Sequence, residues 1–433
     1  MKTNVVPLLW KKSFITLLVV AMFTFLFASS QSVQAVGYDN RPSTENSLEL
    51  EVKAAILIDA DSGQVLYEVN ADETLPVASM TKLMTEYIVL EEIKNGTLSW
   101  DDVITVTQEA SNTGKSESQI YLAPGDKHTV EQLYIAMAVG SANDATKELA
   151  IRISGSLPAF VTRMNEYAVK LGLETAVFTS VTGLEDTTVM SAADVAKLAR
   201  LIIVDHPEFF KYSTLHEYKF RERDKSPIIN LNSMLGDDMD NPIVKSLAYE
   251  GVDGMKTGFI EAAGYNFTGT VKRGETRFIS VVMDTKSRNQ RFVETAKMYD
   301  YGFNSFEKKT VLAPKTKVEG FEEVAIKKGA KRKAAIATDK DITFLVKKGT
   351  SPKIELVAKE LKSEDELVAP LEAKTEVGSL TYRYTDEETG KHVDYKVNLI
   401  LLEDADKAGW FKLMMRAIGD FFSNLFKSIV NLF

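Results

Sequence analysis

The chain has 433 residues, of which 45% are hydrophobic and 26% charged, and its formal net charge at pH 7 is -9. This length suits two globular domains better than one, and the acidic balance leaves no basic surplus to neutralise phosphates, which argues against nucleic acid as the main partner. The sequence contains no cysteine, so disulfides, thiolate catalysis and cysteine-based metal sites are excluded.

The first 35 residues are predicted to be a secretory signal peptide. Three lysines precede an apolar run from Phe14 to Ala28, and Val33-Gln34-Ala35 offers a small-residue cleavage site. This order of a basic segment, an apolar segment and small residues is typical of export signals. We expect an exported protein whose mature chain begins near Val36, and an uncleaved anchor is the alternative.

A buried helix is predicted from Leu75 to Gly96, after two short strands over Ala54 to Asp59 and Gln64 to Val69. Ser79 and Lys82 lie three positions apart near its start, so the hydroxyl and the amine share one face and can come within hydrogen-bond distance. A serine in the first turn also lies at the positive end of the helix dipole, which favours an oxyanion beside it.

The alternative is that Ser79 and Lys82 are an ordinary surface serine and a lysine one turn later, with no catalytic role. Ser305 and Lys308 repeat the spacing by chance, so the pair alone does not define a site.

The middle of the chain is predicted to be helical, and strands return after it. Thr129 and Gln132 have the spacing of a capping box, and Asn143-Asp144 can cap the helix that follows. The predicted helices are Thr129 to Val139, Asn143 to Ile153, Leu157 to Leu171, Ala192 to Val204 and Phe292 to Tyr301, and the predicted strands are Gly254 to Ile260, Tyr265 to Val271 and Phe278 to Asp284.

This order predicts an α/β (α+β) domain over residues 47–306. Early and late strands build one sheet, and a helical lobe is inserted between them. Residues 307–403 show short alternating strands and predict a small β-rich second domain. These strands are Lys333 to Thr338, Ile342 to Val346, Lys353 to Val357 and a hairpin from Leu380 to Leu401 around residues 386–390.

Residues 406–433 are predicted to form an amphipathic helix that lies on a membrane surface. Polar residues recur every three or four positions, which rules out a spanning helix, whereas an apolar stripe with a basic tint suits the headgroup plane. Docking of this helix on the protein's own core is the alternative. The stripe consists of Phe411, Met414, Met415, Ile418, Phe422, Leu425, Ile429 and Phe433.

The sequence lacks the motifs of several common enzyme classes. It has four histidines but neither H-E-x-x-H nor G-x-S-x-G, which argues against a zinc protease and an α/β-hydrolase. Residues Thr113 to Ser116 end like a phosphate-binding loop, but Glu109 stands where the upstream glycine is needed. We predict no metal and no cofactor.

Three short motifs occur in order: Ser79-Met-Thr-Lys82, Ser141-Ala-Asn143 and Lys256-Thr-Gly258. Together they resemble the S-x-x-K, S-x-N and K-T-G motifs of penicillin-binding proteins and serine β-lactamases. The closer resemblance, over about Ser47 to Phe306, is to the low-molecular-mass D-alanyl-D-alanine carboxypeptidases, whose plan also includes a second domain and an amphipathic tail. It implies a penicillin-binding protein/β-lactamase-like fold with an antiparallel sheet.

Each motif residue has a chemical task. Ser79 attacks a carbonyl, and Lys82 takes its proton once burial and the charge of Lys256 have lowered its pKa. Ser141 can relay a proton to the leaving amine, and Asn143 can hold the substrate's peptide amide.

The strand motif serves the substrate. Lys256 and Thr257 offer a cation and a hydroxyl to a terminal carboxylate, and Gly258 allows close approach. By family analogy, the N–H groups of Ser79 and Phe259 form an oxyanion hole, and Arg291 helps to bind the carboxylate; a surface arginine at a helix start is the alternative.

We therefore expect a serine D-alanyl-D-alanine carboxypeptidase. Such an enzyme removes the terminal D-alanine of peptidoglycan stem peptides through an acyl-enzyme and is acylated by β-lactams. With the predicted signal peptide and amphipathic tail, we expect an exported protein that is peripheral on the outer face of the bacterial cytoplasmic membrane. Thr182 departs from the pattern, because some family members have histidine before Gly183-Leu184.

Two rival functions stay open. A serine β-lactamase needs a deacylating glutamate in an E-x-x-x-N pattern, but Val189 follows Glu185 where the asparagine belongs. A non-catalytic wall-binding protein on the same fold is the second rival. The balance between carboxypeptidase, endopeptidase and transpeptidase activity is also left open.

Overall fold

A computed structural model of the chain describes residues 45–236, 241–350, 353–385 and 392–430. The predicted signal peptide and the hairpin turn predicted at residues 386–390 lie outside these ranges.

The strands of the first part of the chain form a central sheet and short outlying pairs. They are β1 (Ala54–Asp59), β2 (Val65–Val69), β3 (Leu75–Pro76), β4 (Val103–Thr105), β5 (Lys127–Thr129), β6 (Val189–Met190), β7 (Glu217–Tyr218), β8 (Ile228–Ile229), β9 (Val252–Ile260), β10 (Gly264–Arg273) and β11 (Thr276–Thr285).

Helices fill the interval between β2 and β9 and follow β11. They are α1 (Lys82–Lys94), α2 (Gln108–Ser111), α3 (Val130–Gly140), α4 (Asn143–Ser154), α5 (Leu157–Leu171), α6 (Ala192–Asp205), α7 (Phe210–Ser213), α8 (Pro242–Leu247) and α9 (Gln290–Ser305), with short 3₁₀ helices at Ala78–Thr81, Pro207–Phe209 and Ser233–Leu235.

The central sheet is antiparallel, with strand order β2-β1-β11-β10-β9. Every residue of β1 is buried, and successive side chains of a strand point to opposite faces, so both faces of β1 are covered. Ile56 and Ile58 pack into the core beneath the helical lobe, whereas Ala55 and Leu57 pack with Phe292 on the side of α9. Strands from both ends of this segment share one sheet, with helices on both faces, so the predicted fold class is confirmed.

The helix predicted from Leu75 begins later than expected. Leu75–Pro76 pairs with β6, Ala78–Thr81 forms a 3₁₀ turn, and the α-helix starts at Lys82. Asn266 donates a hydrogen bond to the carbonyl of Pro76, which fixes the chain entering this turn. Ser79 therefore lies in a tight turn just before α1, and Lys82 is the first residue of the helix.

The capping prediction was right for one helix and wrong for the next. Thr129 and Gln132 form the predicted capping box at the start of α3. At α4, however, the cap position is Ala142, and no side chain caps the helix. The Asn143 side chain instead donates a hydrogen bond to Glu117.

The second part of the chain is β-rich, as predicted, and has its own hydrophobic core. One sheet has the order β13-β14-β18-β17-β16, and a second pairs β12 with β15. Its strands are β12 (Phe306–Leu312), β13 (Glu323–Ala325), β14 (Lys333–Thr338), β15 (Ile342–Lys347), β16 (Lys353–Leu361), β17 (Glu376–Thr385) and β18 (His392–Leu401).

A final helix, α10, extends over Trp410–Val430. Arg416 donates hydrogen bonds to the carbonyl oxygens of Gly329 and Ala330, while the rings of Phe411 and Phe422 remain 60% and 61% exposed. None of the helices in the described part of the chain combines the length and apolar character that a membrane crossing requires.

Candidate active site

The nucleophile candidate and its base are in direct contact. Lys82 Nζ lies 3.0 Å from Ser79 Oγ and donates a second hydrogen bond, also of 3.0 Å, to the carbonyl oxygen of Thr182. Lys82 is fully buried, whereas Ser79 is partly exposed and can be reached by a substrate. This is the geometry that a serine nucleophile and a general base require.

The surroundings of Lys82 favour its neutral form. Burial lowers the pKa of this amine well below its ordinary value, and the positive charge of Lys256 lowers it further. Glu86 and Glu117 act in the opposite direction, but their effect is smaller. An uncharged amine can accept the Ser79 proton, which an ammonium cannot do.

A second lysine reaches the site from the sheet. Lys256 on β9 donates a hydrogen bond of 2.9 Å from Nζ to Ser141 Oγ. Ser141 occupies the tight connection between α3 and α4 in a left-handed conformation, with φ of 56°. Burial lowers the pKa of Lys256 to about 8, so this amine carries a charge at neutral pH.

A buried carboxyl group lies close to both lysines. Glu86 is one helical turn after Lys82 and almost completely inaccessible. Burial raises its pKa to about 7, although the charges of Lys256 and Lys82 oppose this shift. Glu86 belongs to none of the three sequence motifs, although its spacing of four residues from Lys82 already places the two on one helix face.

Asn143 is held by a residue that the sequence analysis also missed. Its Nδ2 atom donates a hydrogen bond of 2.8 Å to Glu117 Oε2. Glu117 belongs to the segment between α2 and β5, and no motif includes it. The Oδ1 atom of Asn143 is buried and has no hydrogen-bond partner among the described residues.

Strand β9 lies close against the turn that carries Ser79. A Cβ atom added to Gly258 would lie 2.7 Å from the carbonyl oxygen of Val77, so only glycine permits this approach. Neighbouring Thr257 is buried in the same strand. Strand β9 is also the last strand in the order of the sheet, which leaves an edge to which an extended peptide can add.

Two further predicted residues lie next to Gly258. Phe259 follows it in β9, and Arg291 on α9 contacts its carbonyl oxygen. Phe259 is 49% exposed, and its ring stacks on that of Tyr265 at 4.2 Å between centroids. Arg291 is only 4% exposed, so it is not a surface arginine. Its Nη1 atom contacts the carbonyl oxygens of Gly258 and Asn266 at 3.5 and 3.4 Å.

The electrostatics of Arg291 suit an anion-binding role. Burial lowers its pKa to about 10, which still leaves a cation at neutral pH. Its Nε atom has no partner among the described residues. A buried guanidinium with a free donor can bind a carboxylate.

The loop with the unusual threonine takes part through its backbone. The Thr182 carbonyl accepts a hydrogen bond from Lys82, and the next residue, Gly183, has φ of 75°. A Cβ atom at Gly183 would overlap the carbonyl oxygen of Ala78. This loop therefore supports the Ser79 turn without using the side chain that departs from the family pattern.

Within the described ranges, no three histidine, aspartate or glutamate side chains are grouped to hold a metal ion. The site is instead built from two serines, two lysines and an asparagine on three separate elements. This fold and this arrangement define the class of serine acyl-transfer enzymes that includes the penicillin-binding proteins.

The comparison with known families is consistent with that class. The profile of the D-alanyl-D-alanine carboxypeptidase family matches residues 40–287, and that of the penicillin-binding protein 5 C-terminal domain matches residues 306–407. The chain belongs to the D-alanyl-D-alanine carboxypeptidase family and is a serine-type carboxypeptidase. It is therefore a low-molecular-mass penicillin-binding protein, as the motifs indicated.

Individual relatives support this assignment along most of the chain. The D-alanyl-D-alanine carboxypeptidase DacF of Bacillus subtilis is 32% identical over 410 residues, which is 94% of this chain and 98% of DacF. The crystal structure of penicillin-binding protein 5 from Haemophilus influenzae is 30% identical and has a TM-score of 0.65, covering 83% of this chain and 98% of that one.

A third relative was solved with a β-lactam. Penicillin-binding protein D2 of Listeria monocytogenes, in its ampicillin-bound form, is 33% identical with a TM-score of 0.52. The match covers 60% of this chain and all of that structure.

Proposed function

We propose that Ser79 is the nucleophile that removes the terminal D-alanine from peptidoglycan stem pentapeptides. The contact of 3.0 Å between Ser79 Oγ and a fully buried Lys82 Nζ carries this proposal. In the first step, neutral Lys82 accepts the hydroxyl proton while Ser79 attacks the carbonyl carbon of the penultimate D-alanine. The N–H groups of Ser79 and Phe259 stabilise the resulting oxyanion.

Collapse of this intermediate breaks the peptide bond. Ser141 relays the proton from Lys82 to the nitrogen of the departing D-alanine, which leaves an ester on Ser79 and returns Lys82 to its neutral form. Lys82 can then take a proton from water, which hydrolyses the ester and restores the Ser79 hydroxyl. One water is consumed, and one D-alanine and one shortened peptide are released.

The cations of the site bind the carboxyl-terminal end of the substrate. Lys256, Thr257 and Arg291 bind the terminal carboxylate, while the peptide lies along β9 beside Gly258. Asn143 holds a peptide amide of the substrate. β-Lactams are ligands of the same site, because their carboxylate and strained amide match these groups.

The decisive experiment measures D-alanine released from a pentapeptide that ends in D-Ala-D-Ala. The wild-type protein is expected to release it, and Ser79→Ala is expected to abolish release. Ser305→Ala is the matched control, since Ser305 and Lys308 have the same spacing outside the site. Equal release by wild type and Ser79→Ala would refute the proposal.

The two rival functions give different results with a penicillin. A β-lactamase would turn the drug over rapidly, whereas we expect a long-lived acyl-enzyme, because Glu185 is exposed and Val189 bridges to Val177. A non-catalytic wall-binding protein would give no penicilloyl adduct on Ser79 in mass spectrometry.

We further propose that the enzyme is exported and lies on the outer face of the bacterial cytoplasmic membrane. The apolar stripe of α10 supports this location, and the second domain would hold the catalytic domain away from the bilayer. The exposed rings of Phe411 and Phe422 are consistent with burial in the headgroup region.

A further inference from the structure

A strongly basic turn in the second domain takes no part in the chemistry at Ser79. Five of the seven residues 327–333 are lysine or arginine and none is acidic, although the chain as a whole has a net charge of -9. All five basic side chains are exposed. This segment, called the basic turn below, therefore concentrates positive charge on one part of an acidic protein.

Two cations of the basic turn have no counter-charge within the described part of the chain. Lys328 and Lys331 form no ion pair with any described residue. The other three form exposed ion pairs, which are Lys327 with Asp365, Arg332 with Asp420 and Lys333 with Glu323. Exposed ion pairs are weak in water, so these three cations also keep part of their attraction for an outside anion.

Hydrogen bonds attach the basic turn to the start of α10. The Ala408 N–H donates a bond of 2.8 Å to the Lys328 carbonyl oxygen, and the Ala330 N–H donates one of 2.6 Å to the Asp406 carbonyl oxygen. Arg416 of the helix donates to two carbonyl oxygens of the same turn. The turn and the helix are therefore fixed relative to each other.

The polar side of α10 faces the basic turn, and the apolar stripe faces away from it. Arg416 contacts the turn and lies five positions after Phe411 of the stripe, which places the two about 140° apart around the helix. A helix in the headgroup plane buries its apolar face and keeps its polar face towards water. Because an α-helix is only about 10–12 Å wide, the basic turn would lie close to the headgroup phosphates.

The start of α10 adds further charge to this surface. Lys407 and Lys412 are exposed there and extend the positive patch, while exposed Asp406 opposes it. The Debye length at physiological salt is about 8 Å, so cations on the polar side of a helix at the bilayer surface still act on anionic lipids. The patch therefore has the charge and the position that an acidic bilayer would attract.

We propose that the basic turn is a second membrane contact, which binds the anionic headgroups of phospholipids. The helix α10 supplies apolar burial and the turn supplies charge, so the protein prefers acidic bilayers to zwitterionic ones. An anionic wall polymer fits less well, because the turn is continuous with the surface that α10 would place at the bilayer. The inference rests on the proposed membrane location and is independent of the chemistry at Ser79.

The test measures co-sedimentation of the full chain with two kinds of vesicle. One is phosphatidylcholine alone, and the other is an equimolar mixture of phosphatidylcholine and phosphatidylglycerol. Each cation near an anionic surface contributes about 5-fold to partitioning, so Lys328→Gln with Lys331→Gln should bind the mixed vesicles about 20- to 30-fold more weakly than the wild type. Binding to phosphatidylcholine alone should be equal. Salt at about 1 M, where the Debye length is about 3 Å, should remove the difference.

Lys315→Gln with Lys317→Gln is the matched control. It removes the same charge from the same domain, and Lys315 and Lys328 share a φ of 58°. The Lys315 N–H bonds to the carbonyl of Thr338, which is at the other end of β14 from Lys333, about 16 Å away. This variant should bind both vesicles like the wild type. Thermal unfolding and D-alanine release should be unchanged in both double variants.

The outcomes separate this inference from the proposed function. If the wild type and Lys328→Gln with Lys331→Gln bind mixed vesicles equally, or if the control loses as much binding, the inference is wrong and attachment through α10 stands. If the wild type binds neither vesicle, the proposed membrane location fails and this inference fails with it, while D-alanine release still tests the chemistry. Loss of binding to lipid-free cell walls, with vesicle binding retained, would assign the turn to a wall polymer and overturn the proposal.

Discussion

Lys256 Nζ donates a hydrogen bond of 2.9 Å to Ser141 Oγ, although the two residues are 115 positions apart in sequence. Lys256 belongs to the central sheet and Ser141 to the helical lobe, so this bond joins the two halves of the catalytic domain. Lys82 lies close enough to the pair that the charge of Lys256 lowers its pKa. The site therefore exists only when the sheet and the lobe are assembled.

Replacement of the base is expected to stop acylation. Lys82→Ala removes the amine that we propose accepts the Ser79 proton, and a missing general base costs about 10²- to 10⁴-fold in rate. The measurement is the rate of labelling by a fluorescent penicillin. Lys308→Ala is the control, since Lys308 follows Ser305 at the same spacing but pairs with Asp61 on the surface. Rapid labelling of Lys82→Ala would show that another group is the base.

The pH dependence of kcat/KM should be bell-shaped. Activity rises with pH as Lys82 loses its proton, and it falls near the pKa of Lys256, about 8, because a neutral amine no longer attracts the substrate carboxylate. Glu86 raises the pKa of both lysines. Glu86→Gln should therefore shift both limbs to lower pH.

D-alanine release measured from about pH 5 to about pH 10 checks this prediction, because this range lies between the ordinary pKa values of Glu and Lys. Glu73→Gln is a suitable control, because Glu73 forms an exposed ion pair with Lys53. A limb near pH 8 that does not move in Glu86→Gln would assign it to a group other than Lys256.

A methyl group at Gly183 should damage the site through the backbone. Any L-residue with φ near +75° is strained by about 1–2 kcal/mol, and at Gly183 the methyl would also overlap the Ala78 carbonyl oxygen. Gly183→Ala should therefore lower Tm and slow penicillin acylation. Gly274→Ala has similar strain, with φ of 59°, but nothing within 4 Å, so it should lower Tm less and leave acylation intact. Equal effects in both variants would rule out the close contact as the cause.

The sequence predicted the parts of this site that depend on short-range spacing or on a recognisable motif. Helical spacing placed Ser79 and Lys82 within reach of each other, and the burial of β1 on both faces follows from its apolar composition. The order of three motifs led to Lys256 and Ser141. The start of α1 was misplaced because the turn at Ala78–Thr81 is fixed by distant contacts, such as the one from Asn266 to Pro76.

Other parts of the site could not be predicted. The Thr182 carbonyl that binds Lys82 is a backbone group, and any residue type can supply it. Asn143 looked like a helix cap because nothing local indicates that Glu117 binds it across 26 positions. Glu86 could have been noticed from its place one turn after Lys82, but a lone glutamate in a helix carries no sign of burial.

Loss of the buried guanidinium should weaken substrate binding. Arg291→Gln removes the cation proposed to bind the terminal carboxylate, and a hydrogen bond to a charged group contributes about 1.5–3 kcal/mol, or about 10- to 100-fold. We expect this loss in kcat/KM, mainly through a higher KM. Exposed Arg288 lies three residues earlier and provides the control variant Arg288→Gln. An unchanged KM in Arg291→Gln would exclude the proposed carboxylate contact.

The apolar stripe of α10 should determine whether the protein binds membranes. Phe411, Met415 and Phe422 recur at helical spacing and are all exposed, whereas Arg416 contacts the second domain. The triple variant Phe411→Ser, Met415→Ser and Phe422→Ser should lower partitioning into anionic vesicles at least about 100-fold, because burial of each such side chain contributes about 1.5–3 kcal/mol.

Co-sedimentation of the full chain with vesicles measures this partitioning, and D-alanine release should be unchanged. Arg416→Gln is the matched control, since it alters the contact with the second domain but keeps the apolar stripe, and it should still bind vesicles. If the helix instead docks on the protein's own core, the triple variant should lower Tm without any change in vesicle binding. That result would contradict membrane attachment through α10, because the same side chains cannot be buried in protein and in lipid at once.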